Sequence, residues 1–141
     1  MIDAKVMFTK ILQMLKEHDT SYVAGEDDAG SWHWRRYSNG RFEAWLNTST
    51  TVTLNTALAG AAGWYRNGSA YTLTAPSAIG GTLAVTHADI HPITGLASTM
   101  AVVTGLSGAR VSYYVISPAT SSTAISSRAT TMTAYVQGTW S

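Results

Sequence analysis

The residues best suited to chemistry in this chain are His87, Asp89 and His91, in the run His87-Ala88-Asp89-Ile90-His91. In an extended segment alternate positions project from the same face, so two imidazoles and a carboxylate would stand together. That donor set suits a transition metal and, with an open coordination position, metal-assisted catalysis. Pro92 ends the run at once, and a chain without cysteine offers no thiolate ligand. The expectation is therefore polar strand residues leading into a turn, with no tightly held metal and no cofactor. The carboxylates Glu26, Asp27 and Asp28 lack the D-x-D-x-D-G spacing of a calcium loop and read as a solvated loop between Gly25 and Gly30. No G-x-S-x-G elbow is present. Glycosidase chemistry needs a second carboxylate beside Glu43, and nothing in the sequence locates one. No catalytic residues are expected, and the chain reads as a non-enzyme.

Recognition is a better match than catalysis. Trp64, Tyr65, Arg66 and Asn67 surround an Asn67-Gly68 turn signal. Loops held by a rigid scaffold commonly carry binding residues, and Trp and Tyr combine a flat apolar ring with a polar tip. This group is the candidate ligand site, of a kind that suits a saccharide. The alternative, that Trp64 and Tyr65 plug the end of the domain or a subunit seam, stays open beside it.

These residues need a scaffold, and the stretch from Ser31 to Leu46, SWHWRRYSNGRFEAWL, describes part of it. Two aromatic- and arginine-rich runs flank Asn39-Gly40, the strongest short hairpin signal, because a type I′ turn needs positive φ at both central residues. With Asn39 and Gly40 as the turn, Tyr37 faces Phe42, Arg36 faces Glu43 and Trp34 faces Trp45. One face then carries Trp32, Trp34, Arg36, Glu43 and Trp45, and the other His33, Arg35, Tyr37, Phe42, Ala44 and Leu46.

The pattern W-x-W/Y-R-R/K-aromatic-S-N/S-G-x-x-E-x-W, from Trp32 to Trp45, resembles a motif of tail-fibre, tail-tip and baseplate proteins of siphophages and prophages of Gram-positive bacteria. Tyr22-Val23 and Gly25-Glu26 match the step and turn before that motif, and Gly138-Thr139-Trp140 stands where the family closes on Gly-Arg-Trp. Ala44 and Leu46 depart from it, at positions where the family often has Cys and Gly. The resemblance covers nearly the whole chain and implies a distal head domain hung on N-terminal helices. It further implies a homotrimer, other tail or baseplate proteins as partners, contact with the bacterial surface, and a place in the virion tail tip after synthesis in the host cytoplasm.

Composition narrows the rest. At 141 residues the chain is long enough for one core of its own. Charged residues are 12% of the sequence and the formal charge is +1, which gives no electrostatic footprint for nucleic acid. No apolar run reaches the roughly 20 residues a membrane-spanning helix needs, and Lys5, Lys10 and Lys16 interrupt any signal-peptide core.

In chain order, Asp3 caps a helix running to about His18. Ala4, Phe8, Ile11, Leu15, His18 and Tyr22 fall in a stripe widened by Leu12. That stripe either lies on the domain's own core or forms a short stem; Phe8, Ile11, Leu12 and Leu15 are the candidate oligomer contacts. Residues 1–23 are assigned to this stem and 24–141 to a β-sandwich head.

Within the head, strands are expected over Thr48 to Leu54, Thr82 to Ile90, Thr99 to Thr104, Arg110 to Ile116 and Thr131 to Gly138. Leu106-Ser107-Gly108 reads as a turn and Pro118 to Ser127 as a loop. Leu83, Val85 and His87 are expected on one side of their strand. Short strands punctuated by turns imply a mainly β protein, an antiparallel jelly-roll-like sandwich behind one helix. The functional expectation is a phage or prophage tail structural protein contributing to host attachment. The alternative is a free-standing carbohydrate-binding module, which would share the sandwich but be a monomer.

Overall fold

The computed structural model describes residues 3–17, 21–95, 98–118 and 125–141, with the side chains of all of these except 15–17 and 125–127. The expectations that rest on Leu15 and His18, and most of the expected loop over 118–127, lie outside these. Among the described residues one α-helix, α1 (Ala4–Glu17), precedes ten strands: β1 (Val23–Ala29), β2 (Trp32–Tyr37), β3 (Arg41–Leu54), β4 (Thr56–Ala57), β5 (Trp64–Arg66), β6 (Tyr71–Thr74), β7 (Leu83–Ile93), β8 (Met100–Ser107), β9 (Arg110–Pro118) and β10 (Ile125–Trp140). The strands form two antiparallel sheets. The larger has the order β1-β2-β3-β10-β7; the smaller runs β4-β5-β9-β6, with β8 on the other edge of β9. The chain is an antiparallel β-sandwich behind a short N-terminal helix, as its strand spacing predicts.

The core lies between the sheets. Phe42, Ala44, Leu46, Val52 and Leu54 of β3 and Met132, Ala134 and Val136 of β10 meet Val111, Tyr113 and Val115 of β9, with Ile79 closing one end. Alternation drives this: β10 buries its even-numbered positions from Met132 to Gly138 and turns Thr133, Tyr135 and Gln137 outward. Asp3 caps α1, its Oδ1 accepting from the Lys5 backbone N–H at 3.0 Å. The described apolar side chains of α1 are exposed, Phe8 at 63%, and none belongs to the core cluster. These described side chains therefore do not cover the sandwich.

Several local expectations are corrected. The Asn39-Gly40 hairpin closes through three residues, Ser38 to Gly40, because only Gly40 takes positive φ (84°) and its N–H donates to the Tyr37 carbonyl at 3.1 Å. A one-residue change of register moves one strand's side chains to the other face. Trp34 thus faces Ala44, Arg35 faces Glu43, and Arg36 faces Phe42. Trp32, Trp34 and Arg36 share the inner face with Phe42 and Ala44, while Glu43 and Trp45 point outward with His33, Arg35 and Tyr37.

The acidic segment after Gly25 is strand β1, not a loop. β3 runs unbroken from the hairpin through Leu54. Leu106 and Ser107 belong to β8, which turns at Gly108-Ala109. A bulge opposite Gln137 and Gly138 inserts Thr86 into β7, so Leu83 and Val85 face inward and His87 outward.

Candidate functional site

The outer face of the larger sheet gathers a cluster of ionisable and aromatic side chains. Registers across all of its strands place Asp28, His33, Trp45, Tyr135 and Asp89 in one cross-strand row, and Glu26, Arg35, Glu43, Gln137 and His87 in the next. Each side chain is there because it occupies an outward position of an alternating strand, and the rows follow from the three-residue turn between β2 and β3.

His33 lies between two carboxylates of β1. Its Nδ1 meets Asp28 Oδ1 at 2.8 Å and its Nε2 meets Glu26 Oε1 at 2.9 Å; Arg35 Nη2 donates to the same Glu26 oxygen at 2.8 Å. The contact with Asp28, then that with Glu26, raises the His33 pKa above its ordinary value. Arg35, and next His33, hold Glu26 below the usual carboxylate range. Trp45 sits beside this cluster, its ring centroid 5.7 Å from the His33 ring and 5.8 Å from that of Tyr135. Glu43 accepts two phenolic hydrogen bonds, from Tyr37 at 2.7 Å and Tyr135 at 3.0 Å. Burial first, and Glu43 second, push the Tyr135 hydroxyl up to about 12. At the end of the face where β1 turns into β2, a recess of about 370 Å³ opens between Asp28, Trp32, His33, Trp45 and Asn47.

His87, Asp89 and His91 do share this outer face, at its far edge. His87 Nε2 lies 2.9 Å from Asp89 Oδ2. Among the described residues no group of three or more His, Cys, Asp or Glu side chains is arranged to hold a metal ion.

The candidate group around Asn67 divides. Trp64 and Arg66 lie on the outer side of the smaller sheet, whereas Tyr65 packs against the core. Asn67 is 2% exposed, and its Oδ1 accepts the buried Val115 backbone N–H at 2.8 Å while its Nδ2 donates to the Ser69 carbonyl. The Asn67-Gly68 pair does not reverse the chain: β5 and β6 both run antiparallel to β9, and the Asn67 amide bonds to β9 in the interruption between them. Arg66 donates from Nη1 to the carbonyls of Asn67 (2.8 Å) and Gly68 (2.9 Å) and lies over the Tyr114 ring at 4.6 Å. A shallow recess of about 330 Å³ beside it is lined by Leu58, Val102, Tyr114 and Ile116.

On the structural side of the motif, Arg36 donates to the Ile79 carbonyl at 2.6 Å and lies over the Trp140 ring at 4.8 Å, which ties the hairpin to the C-terminal strand. The outward cluster on His33 and Trp45 is the part the sequence reading missed. The available signal was the acidic segment before the hairpin, which becomes informative once it is a strand paired with β2.

Comparisons with protein-family models, with curated proteins and with solved structures find no match for this chain. Among the described residues no helix is long and apolar enough to cross a membrane.

Proposed function

We propose that this chain is a non-enzymatic structural protein of a phage or prophage tail. In this reading the β-sandwich is a distal head that attaches to saccharide on the host surface, and α1 is the stem through which chains associate as homotrimers alongside other tail or baseplate proteins. The observation that carries the reading is the apolar stripe of α1, Phe8, Ile11 and Leu12, which stands exposed rather than against its own sandwich. A helix this short is marginal alone in water, so the stripe calls for a partner surface, and a second and third copy supply one symmetrically. The hairpin motif from Trp32 to Trp45 supports the tail assignment through its resemblance to tail proteins, and the choice of three copies comes from that resemblance. Light scattering at neutral pH is the test. The expected mass is three times the 15.0 kDa of the chain, about 45 kDa. A monomer persisting at high concentration defeats this reading in favour of a free-standing carbohydrate-binding module, a second reading favoured by the aromatic and polar outer face of the larger sheet.

A further inference from the structure

We infer that the recess at the β1–β2 end of the larger sheet is a binding subsite for a neutral pyranose, floored by Trp45 and rimmed by Asp28, His33 and Asn47. The inference rests on the saccharide-attachment reading above and places the site on this sheet instead of at the Trp64–Asn67 corner.

A pyranose presents a face of C–H groups and a rim of hydroxyls. Trp45 supplies an aromatic surface flanked across the strands by the His33 and Tyr135 rings, at 5.7 Å and 5.8 Å, with the Arg35 guanidinium over the ring at 5.7 Å from its centroid. Asp28 is 80% exposed at its side chain yet oriented by its 2.8 Å contact with His33, so a sugar hydroxyl meets a carboxylate that is already placed. Asn47, exposed on β3 and held through its backbone N–H to the Ser31 carbonyl at 3.2 Å, offers both a donor and an acceptor. These groups all stand on paired strands, which hold geometry more tightly than loops.

The charges select among sugars. Arg35 and His33 are engaged by Glu26 and Asp28, so the recess has no uncommitted cation for a sugar phosphate or uronate. The other clefts are weaker candidates. The groove between β7 and β8 is blunted for strand addition by Pro92, which has no backbone N–H to donate. At the Trp64 corner, Asn67 is spent on the scaffold.

The test is titration of the purified chain with the methyl glycosides of glucose, galactose and N-acetylglucosamine, and with glucosamine, followed by saturation-transfer NMR. Trp45→Ala, Asp28→Asn and Trp64→Ala variants are measured beside the parent, with circular dichroism confirming that each keeps its β signal. The expected result is binding of at least one neutral glycoside. Trp45→Ala and Asp28→Asn should each weaken it by about tenfold or more, as removal of a hydrogen bond to a charged group typically does, while Trp64→Ala leaves it unchanged. Should Trp45→Ala misfold, Trp45→Phe and Asp28→Asn carry the same comparison. Binding that is lost only in Trp64→Ala, that appears only with glucosamine, or that is absent for all neutral glycosides overturns the inference. Mass in solution is independent of these outcomes: a trimer that binds no glycoside removes this subsite alone, and a monomer that binds one removes the tail reading alone.

Discussion

His33 sets a pH window for the outer face. Its folded pKa is raised by Asp28 and Glu26 of β1, with Arg35 of β2 and the Trp45 ring of β3 as the other groups facing it. The stability it contributes is fully present below the ordinary imidazole value of 6.5 and is lost as pH rises through the higher folded value. Glu26 acts in the opposite sense. Its depressed pKa contributes stability above the ordinary value of 4.5, and that contribution is lost as pH falls through the lower folded value. Denaturation midpoints across pH should therefore decline on both sides of a plateau, and His33→Gln should flatten the alkaline limb. High salt should shrink the difference between parent and variant, since these groups are exposed. A different kind of residue is Asn67. Asn67→Ala leaves the buried Val115 N–H without its acceptor, so urea unfolding should show a loss of about 1–3 kcal/mol. Nothing in Asn-Gly as a dipeptide distinguishes a turn from a buried amide that takes the place of a strand partner; only the pairing of β5 and β6 with one neighbour does.

At the level of elements, β3 and β10 are the axis of the fold, paired from Leu54 to Arg41 against Ile125 to Thr139. The alternation of β10 was legible because one face is apolar and the other polar, with Gly138 in step. What single-strand alternation does not report is an inserted residue on the partner. Gly138 lies where β7 bulges, and a Cβ there would overlap the Ala84 carbonyl oxygen and crowd the Phe42 ring at 2.8 Å. Backbone cannot yield as a flexible side chain would. Gly138→Ala should therefore lower the denaturation midpoint by the equivalent of about 1–3 kcal/mol, the usual range for overpacking. The hairpin misreading has a similar origin. Asn-Gly favours a two-residue turn, but Ser38 is bonded instead to Tyr22, its N–H to the Tyr22 carbonyl at 2.8 Å and its Oγ to the Tyr22 N–H at 3.0 Å. Those contacts come from a segment well before the hairpin, and they favour the longer loop. The consequence is large, since the slip exchanges Arg36 for Arg35 as the partner of Glu43 and parts Trp45 from Trp32 and Trp34, setting it outward beside His33. The candidate site was hidden by that single residue of register.

For the whole molecule, the decisive matter is where the apolar surface of α1 goes. The helix and its cap were readable from Asp3 and the spacing of Phe8, Ile11 and Leu12, but the sequence offered two destinations for the stripe, and in the structure it does not lie on the sandwich. Burying such side chains against other copies contributes roughly 1.5–3 kcal/mol for each large one. A charge within the stripe removes that gain and, on formation of a seam, leaves an unpaired carboxylate away from water. Ile11→Asp with Leu12→Asp should therefore shift the mass in light scattering from about three chains to one. Because the core cluster contains none of the described side chains of α1, the sandwich should keep its far-UV β signal and its denaturation midpoint apart from any share owed to association. A variant that stays trimeric would place the association on the head instead. The surface to examine next would then be the outer face of the smaller sheet, where Met100 and Val102 are exposed beside Tyr114 and Ile116. Val102→Lys, combined with the helix changes, then distinguishes a seam formed by the heads from one formed by both surfaces together.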